Sequence, residues 1–308
     1  MPARRIWPGL AQVVRHDRVG RVPPKMFFGV SAVFHYLGPS LAVLMFARVD
    51  VLGVAWLRVA SAAVVFGLWR GPRRLARMVR ALSPDARWTL AALGAVLALM
   101  NSVFYLAVDR LPLSTVGAIE FCGTVILAAA GARTARNAAA LTLTTAGVIA
   151  ITAIRLAGQP LGFAFAFANC ALFMLYIVLG HRIANAGTAG PAGIRSAAGL
   201  DRLAAAMAIA AVTAMPWGLG GALPAFRHPI LLLAGAGIGI CSSVIPYVTD
   251  QLAMARLPRA TFSLLLALLP VFATVIGAIV LRQVPTVQDA VGIMLVVLGV
   301  ALHQQERN

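Results

Sequence analysis

The sequence predicts an all-α integral membrane protein of ten transmembrane helices in two inverted five-helix repeats. Three observations carry this expectation: long apolar blocks, basic residues that alternate between the connections, and a recurring Arg-Leu-Pro element. Of the 308 residues, 61% are hydrophobic and 11% charged. A soluble domain has about 45–50% apolar and about 25% charged residues. A bilayer core takes about 20 apolar helical residues, whereas barrel strands would give short alternating segments.

The apolar blocks fall at 26–46, 51–69, 88–108, 113–132, 138–154, 162–180, 203–219, 230–254, 260–281 and 286–302. The fifth and seventh are the weakest, being rich in Ala and Thr. Pro39 in the first block and Pro270 in the ninth invite kinks, because proline withholds a backbone donor and clashes with the preceding turn. In the eighth, Gly235 and Gly239 have the small-xxx-small spacing of close helix packing. Between blocks two and three, Leu75, Met78, Val79 and Leu82 recur at helical spacing among arginines. That segment reads equally as a short amphipathic helix on the inner leaflet or as a solvated basic loop.

The net charge of +17 is distributed against nucleic-acid binding. Connections on the N-terminal side of the membrane hold 20 basic residues, six of them before residue 26 and six between 70 and 87. The opposite side holds five, and Arg58 lies within a block. Loop Lys/Arg bias sets orientation, so both termini are expected in the cytoplasm. An even number of spans follows, in a bacterial cytoplasmic membrane with lipid as the surrounding partner. Residues 1–25 are basic and contain no apolar run, which argues against a cleavable signal peptide.

Arg110-Leu111-Pro112 recurs as Arg256-Leu257-Pro258, offset by 146, and each copy is followed by an apolar span, Gly-Ala, a polar turn and another span. This divides the chain into a basic N-terminal segment (1–25), a first repeat (26–154), a second repeat (162–302) and a tail (303–308). Five spans per repeat reverse the second copy relative to the first, an architecture of secondary transporters.

Polar residues within the blocks mark the candidate site. Glu120 and Arg58 are each seven residues from the expected outer ends of their spans, and Asn101 has the same depth in the third. Tyr105 is one turn nearer the outside. Ionisable groups in lipid are expensive and face cavities or one another, so Glu120 is expected to face a polar cavity with Arg58 as partner. Asp250 and Tyr247 lie in "SSVIPYVTDQLAMARLP", where a substrate or proton role for Asp250 competes with snorkelling to the inner surface. Pro246 frees a carbonyl there for Ser242, Ser243 or Thr249. His35 reads as a satisfied core histidine, with substrate binding or proton relay, also assigned to Glu120, as the alternative.

Cys122, Cys170 and Cys241 lie in apolar blocks without metal or disulfide spacing and read as small buried residues. "GAGIGICSS" lacks the sixth-position glycine of a dinucleotide fingerprint and follows no strand. No zinc-protease, nucleophile-elbow or Walker A motif is present. The reading therefore carries no metal, no cofactor and no enzyme activity.

The segments "WLRVASA", "MNSVFYLAVDRLPLSTVGAIEFCG", "LYIVLGHR" and "SSVIPYVTDQLAMARLPRATFSLLLALLP" resemble the drug/metabolite transporter superfamily in its ten-helix EamA type, and within it the threonine/homoserine exporter group. The resemblance runs over most of residues 30–303. It implies a central cavity open alternately to each side and export of small amino acids or related metabolites. It also implies that Arg58, Asn101, Tyr105 and Glu120 face or support the cavity. Asp250 stands where the group tends to carry Glu, and Thr124 where it more often has Pro. Substrate binding is thus expected at Arg58, Asn101, Tyr105, Glu120, Tyr247 and Asp250. Efflux of aromatic amino acids or cationic drugs, or less readily intramembrane enzyme chemistry at Glu120, are the alternatives, and a homodimer stays open. Reporter fusions test the topology: alkaline phosphatase is expected to be inactive at both termini and active after residues 48, 110 and 227.

Overall fold

The computed structural model describes residues 23–111, 113, 115–117, 119–120, 134–152, 160–185, 192–266, 268–282 and 286–302, all helix, turn or connection with no strand among them. The helices are α1 (Pro24–Val43), α2 (Val51–Arg70), α3 (Pro72–Ala81), α4 (Pro84–Val108), α5 (Ala135–Thr152) and α6 (Pro160–Asn185). They continue with α7 (Ala192–Arg227), α8 (Pro229–Gly239), α9 (Ile245–Met254), α10 (Arg259–Leu266), α11 (Leu269–Val280) and α12 (Val287–Leu302). A π-helical turn, Ile240–Val244, joins α8 to α9. The fourth apolar block is described only at 113, 115–117 and 119–120, all helical. Cys122 and Thr124 lie outside the described residues.

Among the described residues, six helical stretches are long and apolar enough to cross a membrane: Pro24–Val43, Val51–Arg70, Pro84–Val108, Pro160–Ile183, Ala198–Arg227 and Pro229–Met254. Large apolar side chains lie on their outer faces; Leu68 and Leu233 are 80% and 72% exposed. Such surface is ruinous in water and suited to lipid. The chain is a multi-pass helical membrane protein.

Local chemistry sets the helix ends. Asp50 caps α2 by accepting from the amides of Leu52 and Gly53 at 2.9 and 3.3 Å. Gly71, at φ 81°, stops that helix, and Pro72 starts α3. Only a residue without Cβ adopts that φ freely. The basic segment after α2 is the amphipathic helix, α3, with Leu75 buried and Met78, Val79 and Leu82 packed against the core. α1 continues through Pro39. The ninth block breaks between α10 and α11, where Pro270 sits in the first turn of the restarted helix.

The seventh block exceeds its predicted bounds of 203–219 and forms a 36-residue helix. Asp201 and Arg202 make its start look like a connection, but both are satisfied within the protein. Asp201 accepts from Arg70 Nε at 2.5 Å and from Arg74 Nε and Nη2 at 3.0 and 2.7 Å. Arg202 donates to the Ile183 carbonyl at 3.1 Å.

α7 packs closely on α2 because small residues line the seam. A Cβ on Gly53 would meet the backbone of Gly221, and one on Gly218 would overlap Trp56. Trp56 Nε1 then donates to the Ala211 carbonyl at 3.0 Å. The other main packing pairs are α4 with α6, α4 with α7, α9 with α1, α8 with α2, and α5 with α12.

Asp201→Ala leaves two guanidinium groups without their carboxylate. Loss of charged hydrogen bonds costs about 1.5–3 kcal/mol. Thermal unfolding of the purified protein in detergent is expected to shift down by several degrees, with Asp201→Glu shifted less.

Candidate functional site

The site is a narrow buried cavity lined by His35 and Pro39 of α1, Arg58 of α2, Met100, Asn101 and Phe104 of α4, Glu120 of the fourth segment, Asn169 of α6 and Tyr247 of α9. Its volume is about 10 Å³, room for roughly one water molecule. Five of the seven residues singled out from the sequence as site candidates therefore line one space: His35, Arg58, Asn101, Glu120 and Tyr247.

Arg58 is 4% exposed. Its Nε donates to Ser243 Oγ at 2.9 Å and its Nη2 to the Ser242 carbonyl at 2.7 Å. Tyr105 does not line the cavity; its ring lies under the guanidinium, 5.5 Å from Cζ to the centroid. The Ser242 carbonyl is available because Pro246, four residues on, has no N–H to offer it. The chain answers with the π turn at Ile240–Val244, a distortion common at functional sites. The break depends on close approach by two neighbours. A Cβ on Gly38 of α1 would collide with the Ser242 side chain, and one on Gly239 with Ser61 and the Arg58 carbonyl. The close packing read from Gly235 and Gly239 is thus present, against α2, where Gly235 faces Leu57.

Thr249 does not reach the freed carbonyl; its hydroxyl donates within its own helix, to Ile245 and Pro246 oxygens at 2.8 and 2.9 Å. Proline in the eighth block was a sequence signal for the break, but nothing there pointed to Arg58 as the donor that fills it.

Glu120 is 2% exposed. Asn169 Nδ2 donates to its Oε1 at 3.1 Å, and Oε2 has no protein partner. The expected direct pairing with Arg58 is absent: no nitrogen of the Arg58 guanidinium lies within 4.0 Å of the carboxylate. The reason is competition. Ser242 and Ser243 hold Arg58 from α9's side, and Asn169 holds Glu120 from α6's side. The two charges face the same space without closing on each other. Asn169, in "FAFANCALF", went unnoticed in the sequence, although a lone amide in an apolar span was the available signal.

Unmatched polar atoms mark the cavity. Besides Glu120 Oε2, these are His35 Nδ1, Asn101 Oδ1 and Asn169 Oδ1. Buried polar atoms are normally paired, so four around one small space point to a polar occupant. For His35 the satisfied reading is corrected: its ring packs edge-on to Tyr36 and Phe173 while Nδ1 lacks a partner. Asn101 Nδ2 donates to the Leu97 carbonyl at 2.7 Å and to Tyr247 Oη at 3.4 Å.

Asp250 lies off the cavity. It is fully buried, so it does not snorkel. Ser31 Oγ lies 2.5 Å from its Oδ1, and Tyr176 Oη donates to its Oδ2 at 3.4 Å. Among the described residues no group of three or more His, Cys, Asp or Glu side chains is arranged to hold a metal.

A bundle of membrane-crossing helices with a small polar cavity between them, lined by Arg58 and Glu120, defines a multi-pass membrane protein with ionisable groups in its interior. Comparison with known proteins gives the family. Residues 160–303 match the EamA-like transporter family. The threonine/homoserine exporter RhtA of Salmonella typhimurium (strain SL1344) is 30% identical over 256 residues, covering 81% of this chain and 80% of that protein. The exporter of the same name from Escherichia coli (strain K12) shows the same identity and coverage. A crystal structure superposes with a TM-score of 0.63 at 21% identity, over 89% of this chain and 94% of its own, which supports the fold. The chain belongs to the EamA-like transporter family, within the drug/metabolite transporter superfamily.

The Asn169–Glu120 contact gives a test independent of transport. Asn169→Leu leaves a buried carboxylate with neither oxygen partnered, a loss of about 1–3 kcal/mol. Unfolding measurements are expected to show that cost, and to show most of it absent when Asn169→Leu is combined with Glu120→Leu.

Proposed function

We propose that the protein is a secondary exporter of small zwitterionic amino acids, threonine and homoserine foremost, working by alternating access across the cytoplasmic membrane. The observation that carries this reading is the opposed but unpaired Arg58 and Glu120 on one cavity. An α-amino acid carries its carboxylate and its ammonium on one carbon. Arg58 offers a fixed donor fork for the first, and Glu120 Oε2 an acceptor for the second. Asn101, Asn169, Tyr247 and His35 supply short-range polar contacts for a hydroxylated side chain. The names of the relatives support the same cargo.

The cavity is too small for threonine, so this conformation is a contracted one, and the cycle widens it. Ten spans in two inverted repeats, 26–154 and 162–302, provide the moving parts, with both termini and the 1–25 and 303–308 segments in the cytoplasm. Two features support the repeat. The 146-residue offset maps Asn101 onto Tyr247, and these side chains meet at 3.4 Å, as positions beside a pseudo-two-fold axis must. The packing pairs also exchange under that mapping. The α4–α6 contact becomes the contact of α8 and α9 with α1, α4–α7 becomes that of the eighth span with α2, and α2–α7 and α5–α12 map onto themselves.

Threonine efflux from loaded proteoliposomes tests the cargo and the pair together. Glu120→Gln and Arg58→Ala are each expected to slow it at least about tenfold, equivalent to about 1.4 kcal/mol, at unchanged protein content. Efflux unaltered in both variants contradicts the assignment.

A further inference from the structure

We propose that Asp250 is a proton-binding site separate from the solute cavity, whose occupancy is tied to the contact between α1 and α9. The inference rests on the alternating-access reading above. Asp250 is 0% exposed, and no cationic side chain among the described residues lies within 4.0 Å of it. An ionised carboxylate in such a place is costly, because two hydroxyls at one carboxyl do not replace its hydration. A neutral carboxyl fits the geometry. Ser31 Oγ stands 2.5 Å from Asp250 Oδ1 and 3.4 Å from the Pro246 carbonyl. A hydroxyl has one proton to give. With the proton on Asp250 Oδ1, the carboxyl donates to Ser31 Oγ, Ser31 donates to Pro246, and Tyr176 Oη donates to Asp250 Oδ2.

Among the described residues no charged side chain contacts Asp250; Arg256, just past the end of α9, stands over the Phe27 ring of α1 at 5.2 Å. The titratable groups facing Asp250 are the phenols of Tyr176, from α6, and Tyr247, from its own helix, with ring centroids 5.4 Å apart. His181 of α6 turns to Phe262 of α10, Arg202 of α7 donates to Ile183, and His35 of α1 lines the cavity.

Ser31 belongs to the first repeat, Asp250 and Tyr176 to the second. A rocking motion that parts α1 from α9 takes Ser31 away from the carboxyl and opens it to water. The carboxyl then gives its proton to a water molecule and becomes a carboxylate. The empty protein recloses after a proton is taken up, whereas the solute-loaded protein recloses as the carboxylate, with Ser31 Oγ turning its one proton from the Pro246 carbonyl to Asp250 Oδ1. Each solute carried out is then matched by one proton carried in, and the class of coupling is solute–proton antiport.

Two measurements on the full-length purified protein test this. Infrared difference spectroscopy on acid–base titration is expected to show a protonated-carboxyl C=O band at neutral pH that survives Glu120→Gln and vanishes in Asp250→Asn. In proteoliposomes, Asp250→Asn is expected to keep threonine–threonine exchange within about twofold of the unaltered protein and to lose acceleration by an imposed pH gradient. A band that persists in Asp250→Asn, or retained gradient acceleration, overturns the proposal. Loss of exchange in a folded Asp250→Asn protein also overturns it, by making the residue part of solute binding or packing. If the unaltered protein exchanges no threonine yet the band behaves as expected, the cargo assignment falls and the proton site stands.

Discussion

A guanidinium buried in an apolar bundle must be held by fixed dipoles, and the structure turns on how Arg58 is held. The Ser242 carbonyl, the Ser243 hydroxyl and the face of Tyr105 surround it. None of these is a counter-charge. A carboxylate in direct contact would neutralise the arginine and leave little for a solute to bind. Holding it with neutral groups keeps its charge available to the cavity while supplying the hydrogen bonds that lipid and protein interior would otherwise deny it. The same holds for Glu120, which one amide steadies and one oxygen leaves open.

That arrangement has requirements far along the chain. Pro246 withholds a backbone donor, and the π turn exposes the Ser242 carbonyl. Gly38 and Gly239 let α1 and α2 approach the distorted turn. Broken helices in membranes are tolerated where the freed backbone groups find partners in the protein; here the partner is Arg58. The break and the charge therefore stabilise each other, linking the π turn between α8 and α9 to α2. Mutating the glycines should harm the site without touching it.

The sequence made the apolar helices and most of the cavity lining legible, because each is a local pattern, while for α3 it left helix and basic loop equally open. Block lengths, basic residues between blocks and lone polar residues at matching depth sufficed for Arg58, Asn101 and Glu120. What stayed hidden was non-local. The extent of α7 was concealed by Asp201 and Arg202, whose partners Arg70, Arg74 and Ile183 are distant in sequence. Depth matching put Arg58 and Glu120 in one layer but could not say that Ser242 and Asn169 would outcompete each for the other. Asn169 was overlooked because one amide in a span of phenylalanines gives no spacing to read. Asp250 was expected at the same site from its segment and the family resemblance, yet its carboxyl meets Ser31 and Tyr176 and lies off the cavity.

Direct binding to the purified protein probes whether Arg58 and Glu120 serve as two separate poles for one solute. Threonine carries both charges, threonine amide only the ammonium and N-acetylthreonine only the carboxylate. Calorimetric titration is expected to show threonine binding, with each derivative weakened at least about tenfold, about 1.4 kcal/mol. Equal affinity for threonine and either derivative would mean that one pole does not touch the solute, and the site as described here would be wrong.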